Sequence, residues 1–166
     1  MSGDPQRLGH SVRGLANWIL DFADQNGARH TNMGINKLVF FAIEAVLVEQ
    51  GVLLTNAKIE AWEHGPVFRE LYQSFKKYGN GYIAGRASRF CAIKNEFEEV
   101  SLRLTAAEEA ALRKALLPLI HKNAAELRAL SHRLGGAWHQ VWWYEGHANP
   151  GMEISPALVI ESAVGR

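Results

Sequence analysis

A chain of 166 residues is long enough to bury a substantial core and argues for one domain. Its composition is 48% hydrophobic and 21% charged, with 18 Lys plus Arg against 17 Asp plus Glu. This balance gives no global pull toward nucleic acid or an acidic membrane. The single cysteine, Cys91, excludes an internal disulfide framework and any zinc site built from several cysteines.

The opening residues, MSGDPQRLGHSVRG, have no apolar run of the signal-peptide kind. The most apolar stretch, LVFFAIEAVLV at 38–48, contains Glu44 and is well short of the ~20 residues a membrane helix needs. A soluble cytoplasmic protein is therefore expected.

Residues 11–26 place Val12, Leu15, Ile19, Phe22 and Ala23 at helical spacing, with Ser11 suited to cap the start and Gly27 to follow the end. A second helix is expected over 32–50, capped by Thr31 or Asn32 and stopped at Gly51. Met33, Leu38, Phe41, Ala45 and Val48 mark one face. Ile35, Val39, Ala42, Ile43, Val46 and Leu47 widen it until little polar surface remains, which predicts the central helix. Lys37, near its N-terminus, is expected to be exposed.

Residues 56–63 alternate Ala57, Ile59 and Ala61 against Lys58, Glu60 and Trp62, a short strand with the second set facing outward. Pro66 suits the first turn of a helix that runs through Leu71, Tyr72 and Phe75 to about Lys77. Residues 79–89 carry three glycines and read as a loop or tight turn. In 90–104, Phe97, Val100, Leu102 and Leu104 suit an irregular strand, a candidate partner for 56–62.

TAAE at 105–108 is a capping box, and Pro118 should break the helix it opens. NAAE at 123–126 is a second box. Its helix should run to about Leu134 with Leu127, Leu130 and Leu134 inward, ending at Gly135-Gly136. Residues 137–145, AWHQVWWYE, hold three tryptophans; at helical spacing Trp138 and Trp142 share a face and Trp143 lies a quarter turn away. Trp138 is expected as a core anchor, whereas Trp143 suits either the core or a partner. Ser155-Pro156 opens a last helix through Ala163.

Catalytic signatures are absent: no GxSxG, Walker A, GxGxxG or HExxH occurs. His132 and His139 are seven apart but separated by Gly135-Gly136, so no metal site is expected. Cys91 beside Phe90 is expected as a small buried apolar residue. Arg86, Arg89 and Lys94 interleave with Tyr82 and Phe90, a pattern that can track a single strand of nucleic acid, but Glu96, Glu98 and Glu99 follow at once. Nucleic acid is therefore an unlikely partner.

Three ordered motifs carry a resemblance. They are Lys37, Leu38 and Phe40 or Phe41; then Ala61, Trp62, Gly65, Pro66 and Val67; then Leu127, Leu130, Ser131, His132 and Trp138. Together they resemble the Panacea domain, the family of SocA-like antitoxins and phage-associated proteins, over about residues 12–145. Residues 146–166 add a loop and a helix. Two departures stand out: Phe40 or Phe41 stands where the family often has Tyr, and the glycine loop at 79–89 is individual to this chain.

The resemblance implies a mainly α fold with a small antiparallel β element (α+β). This would be a single-domain helical bundle of about six helices plus a two- or three-stranded sheet. It implies a non-enzymatic, cofactor-free antitoxin that binds and neutralises a cognate toxin. The alternatives are an adaptor that delivers the toxin to a protease and a nucleic-acid-binding regulator.

The corner AWEHGPV then has two explanations. A structural joint would lock strand to helix with Trp62 packed over it, Gly65 supplying unusual backbone angles and helix-start amides facing Glu63 and His64. A groove for a partner segment would instead use Trp62, Glu63, His64, Arg69 and Tyr72. In that case His132 hydrogen-bonds near Trp138 to brace the floor, and Trp143 contributes from the side. Lys37, Leu38, Gly65, Pro66 and Val67 form the supporting structural motif.

Overall fold

The computed structural model describes residues 3–164. The first two helices follow their sequence signals. Helix α1 (Val12–Gln25) starts at Ser11, whose hydroxyl accepts from the Gly14 amide at 3.3 Å, and its expected stripe is buried. Helix α2 (Asn32–Gln50) starts at Thr31, whose hydroxyl accepts from the Gly34 amide at 3.1 Å. It stops at Gly51, with φ of +66°.

Nearly every side of α2 is buried. Its most open line runs through Met33, Phe41, Ala45 and Val48, four of the five residues expected to lead its core face. The residues that widened the stripe form the centre instead: Ile35, Val39, Ala42, Ile43, Val46 and Leu47.

Strand β1 (Gln6–Arg7) pairs in parallel with β2 (Val52–Leu53), tying the N-terminal segment to the end of α2. The next segment departs from expectation. Only Glu60–Trp62 forms a strand, β3, and it pairs antiparallel with β4 (Gly65–Val67). Pro66 is thus in a strand rather than in the first turn of a helix. The register Trp62↔Gly65 leaves Glu63 and His64 as a two-residue turn, and Gly65 has φ of +118°. Helix α3 (Arg69–Phe75) begins only after Phe68, whose amide donates to Asn36 Oδ1 at 2.9 Å.

On its other side β3 pairs with β7 (Met152–Glu153), not with 90–104. That region forms its own antiparallel ribbon, β5 (Ser88–Cys91) with β6 (Glu96–Glu99), and Phe90 faces Phe97 across it. Asn17 of α1 holds the root of this ribbon. Its Nδ2 donates to Ala87 O (2.8 Å) and Val100 O (2.9 Å), and its Oδ1 accepts from Ala87 N (2.8 Å). Cys91, expected to be buried, is half-buried on this ribbon.

Both capping boxes form, opening α4 (Ala106–Leu116) and α5 (Ala124–Ser131). Helix α4 ends before Pro118. Helix α5 ends earlier than expected: Leu127 is buried, but Leu130 and Leu134 are exposed, because the chain turns back at His132. Helix α6 (Ala137–Trp142) follows, and α7 (Pro156–Val164) starts at Ser155, whose hydroxyl accepts from the Leu158 amide at 3.2 Å. Helix α2 packs against α1, α3, α4, α5 and α7, so the described residues form a mainly helical α+β structure around α2. No helix among them is long and apolar enough to cross a membrane.

Candidate partner-binding site

The β3–β4 corner sits on Lys37 of α2. Contrary to the expectation of an exposed side chain, Lys37 is 0% accessible. Its helix position is solvent-facing only if nothing covers it, and β4 and α5 both do. The ammonium donates to Pro66 O at 3.5 Å, a long contact. Burial, and then the charge of Arg128, push its pKa down to about 7. A Cβ placed on Gly65 would come within 2.6 Å of Ser131 Oγ and 2.8 Å of Lys37 Cε. Gly65 therefore marks the point where α2, β4 and α5 touch without room for a side chain.

Asn36, beside Lys37, is also fully buried and fully used. Its Nδ2 donates to Asn32 O (2.9 Å) and Asn32 Oδ1 (3.0 Å), while its Oδ1 takes the Phe68 amide. Asn32 Nδ2 in turn donates to Tyr72 O at 3.0 Å. Two asparagines of α2 thus fix where α3 begins and how it lies. A buried polar network of this kind positions neighbouring elements tightly because leaving any member unpaired is costly.

Behind the corner, His132, Trp138 and Trp142 form a stacked column. The first two rings are 3.7 Å apart and nearly parallel at 3°; the second pair is 5.6 Å apart. His132 stacks on Trp138 rather than hydrogen-bonding to it, and it does not line the cleft beside Trp62. Its pKa is lowered to about 4, chiefly by burial and then by the charges of Arg128 and Lys37, so the imidazole is neutral at pH 7. Trp138 Nε1 donates to Trp62 O at 2.7 Å, which anchors β3 to the column. Trp138→Phe should cost about 1–3 kcal/mol in urea unfolding, because it leaves the Trp62 carbonyl without its donor.

At the front, the Trp62 and Tyr72 rings lie 4.9 Å apart, and the Arg69 guanidinium is 5.9 Å from the Trp62 ring centre. Arg69 also grips Glu60 with two bonds of 2.9 and 3.0 Å. Glu60 was expected on the open face of the strand. It is only 4% accessible, and Arg69 holds its carboxyl below the usual range.

Trp62, Glu63, His64 and Tyr72 line one cleft of about 540 Å³, with Met33 and Lys76 on the α2 and α3 sides. Glu63 and His64 belong to the hairpin turn and not to a helix start, so helix-end amides do not face them. Arg69, expected in the same groove, lies over the Trp62 ring but lines the neighbouring concavity instead, and Trp143 lies elsewhere, half-exposed just beyond α6. Glu60 and Asn36 were missed as site residues. Asn36 signalled itself only as a polar break in an apolar helix, and Glu60 by no local pattern. Among the described residues, no group of three His, Cys, Asp or Glu side chains is placed to hold a metal ion.

Residues 35–139 match a family model described as "Antitoxin SocA-like, Panacea domain". The chain is also 32% identical over 141 residues to Antitoxin SocA of Caulobacter vibrioides (strain NA1000 / CB15N), a match that covers 85% of this chain and 74% of that protein. No solved structure matches it. The matched span includes the whole corner, from Lys37 to Trp138.

Proposed function

Because the chain belongs to the SocA-like antitoxin, Panacea domain family, we propose that it is the antitoxin of a toxin–antitoxin system and covers a cognate toxin in the cytoplasm. The contact surface is the Trp62 cleft. The observation that carries this is the pair of Trp62 and Tyr72, partly open to solvent yet held in place from behind, with the Arg69 guanidinium over the Trp62 ring. Trp, Tyr and Arg are the side chains that most often dominate binding energy at protein interfaces. The supporting groups are spent on structure: Trp138 on the β3 backbone, Arg69 on Glu60, and the asparagines on α3. The proposed action is binding without a chemical step or cofactor.

The test pairs this protein with candidate toxins, beginning with the product of the neighbouring reading frame. Trp62→Ala combined with Tyr72→Ser should abolish rescue of growth and weaken binding by about 10-fold to 100-fold. Arg69 is left in place because its loss would strand buried Glu60. If the double variant unfolds, the corner is a structural joint alone. Suppressed toxicity with steady toxin levels supports covering; disappearance of the toxin supports delivery to a protease.

A further inference from the structure

Helix α3 separates two concavities. It turns Tyr72, with Lys76 just beyond its end, toward the Trp62 cleft, and Glu70, Gln73 and Ser74 toward a larger groove of about 720 Å³ beside the β5–β6 ribbon. The floor of this groove includes buried Phe68. One wall is Phe90 and Phe97, 52% and 72% accessible, with ring centres 5.4 Å apart. Ile93, at the ribbon's turn, is 98% accessible. Three large apolar side chains are thus exposed within eight residues, a density that marks a contact surface. A two-stranded ribbon alone is also marginal in water and gains from a covering partner.

Charge narrows what that partner is. The groove has two carboxylates, and both are engaged: Glu60 by Arg69, and Glu70 by Arg13 at 2.9 Å. The other two cations at its walls are Lys58, which acts on Glu60 from a distance without a close ion pair among the described residues, and Arg89, whose contact with Glu98 is 3.6 Å. The uncompensated charge is positive. Three consecutive residues of β5, Ser88 to Phe90, line the space, and Arg13 Nη1 donates to the Ser88 carbonyl at 3.4 Å.

We propose that this groove binds an extended segment of another protein carrying carboxylates beside an aromatic or aliphatic side chain. The apolar pair takes the apolar side chain, and Lys58 and Arg89 take the carboxylates. Glu96, Glu98 and Glu99 lie on the same ribbon but do not line the groove, which favours a segment with a few placed carboxylates over a polyanion such as nucleic acid. Apart from Arg69, which lines this groove and lies over the Trp62 ring, its lining is separate from that of the Trp62 cleft, and it does not rest on the antitoxin assignment.

The full chain, ¹⁵N-labelled, is titrated with four probes: an octapeptide alternating Glu and Phe, its Lys/Phe and Glu/Ser counterparts, and an oligouridylate. The Glu/Phe peptide should shift the amide resonances of Phe68 and of 88–90 and bind best. Combined Lys58→Glu and Arg89→Glu should weaken it by about 10-fold, as expected for reversing two exposed charge contacts. Phe97→Ser should weaken it without changing the charge. If that variant loses the ribbon, the charge pair, exposed at both positions, decides alone. The proposal is overturned if the Glu/Phe peptide does not bind, if the Lys/Phe or Glu/Ser peptide binds as well, if the oligouridylate is preferred, or if the shifts centre on Trp62.

Discussion

Gly65→Ala should remove a large share of the protein's stability. Two independent costs coincide at this position. The backbone has φ of +118°, which an L side chain rarely adopts. The new Cβ would also meet Ser131 Oγ at 2.6 Å and Lys37 Cε at 2.8 Å. Neither neighbour can retreat easily, since both are buried. Strain and overpacking together should cost about 3 kcal/mol or more, against a total stability of about 5–15 kcal/mol for a typical domain. Urea unfolding measures this directly. Adding Ser131→Ala should restore only part of the loss, because it removes one clash and leaves the backbone strain and the Lys37 contact. A fully stable Gly65→Ala protein would mean that α5 does not press on the corner as described.

Lys37→Met should act in the opposite direction. Burial lowers the folded-state pKa of Lys37 from 10.5 to about 7. Between those values the unfolded chain holds a proton that the folded chain lacks, so stability rises with pH across the window. The benefit is complete above about pH 10.5 and is lost as pH falls to about 7. Below pH 7 the folded protein carries a desolvated ammonium, with Pro66 O at 3.5 Å as its hydrogen-bond acceptor. Met fills similar space without charge. The variant should therefore be the more stable protein at pH 6–7, by at most about 5 kcal/mol, a bound set by the size of the pKa shift. Its advantage should shrink steadily toward pH 10. Chemical denaturation at a series of pH values tests both the sign and the window, and a constant difference between the two proteins would refute the assignment. What the lysine contributes in return is a contact to the backbone of the corner.

The features legible in the sequence were those decided within one turn of chain. Ser11, Thr31, the Thr105–Glu108 pair and the Asn123–Glu126 pair cap the helices where their spacing indicates. The dense apolar pattern of 32–50 marked the central helix because a helix apolar on most sides must be surrounded. Features set by distant partners were not legible. Lys37 looked exposed because β4 and α5, which cover it, come from 28 and more residues further along. Glu60 looked exposed because alternation cannot anticipate a guanidinium nine residues on. Pro66 fits a helix start and a short strand equally well by local rules, and the turn at Glu63–His64 decided between them. At the candidate site, Trp62, Glu63, His64 and Tyr72 do share a cleft, while Arg69 lines the neighbouring groove. Trp143 does not join them, because the chain leaves α6 before reaching it.

The Asn17 clamp has a consequence for how such a chain can diversify. One amide side chain from α1 fastens both roots of the β5–β6 arm, at Ala87 and Val100. Outboard of those two residues the two strands pair with each other, and Arg13 of α1 reaches the arm through the Ser88 carbonyl. Lengthening a tethered loop raises its closure entropy only slowly. The span between 87 and 100 can therefore be rewritten in length and side chains while the scaffold stays intact, much as an interchangeable head fits a common handle.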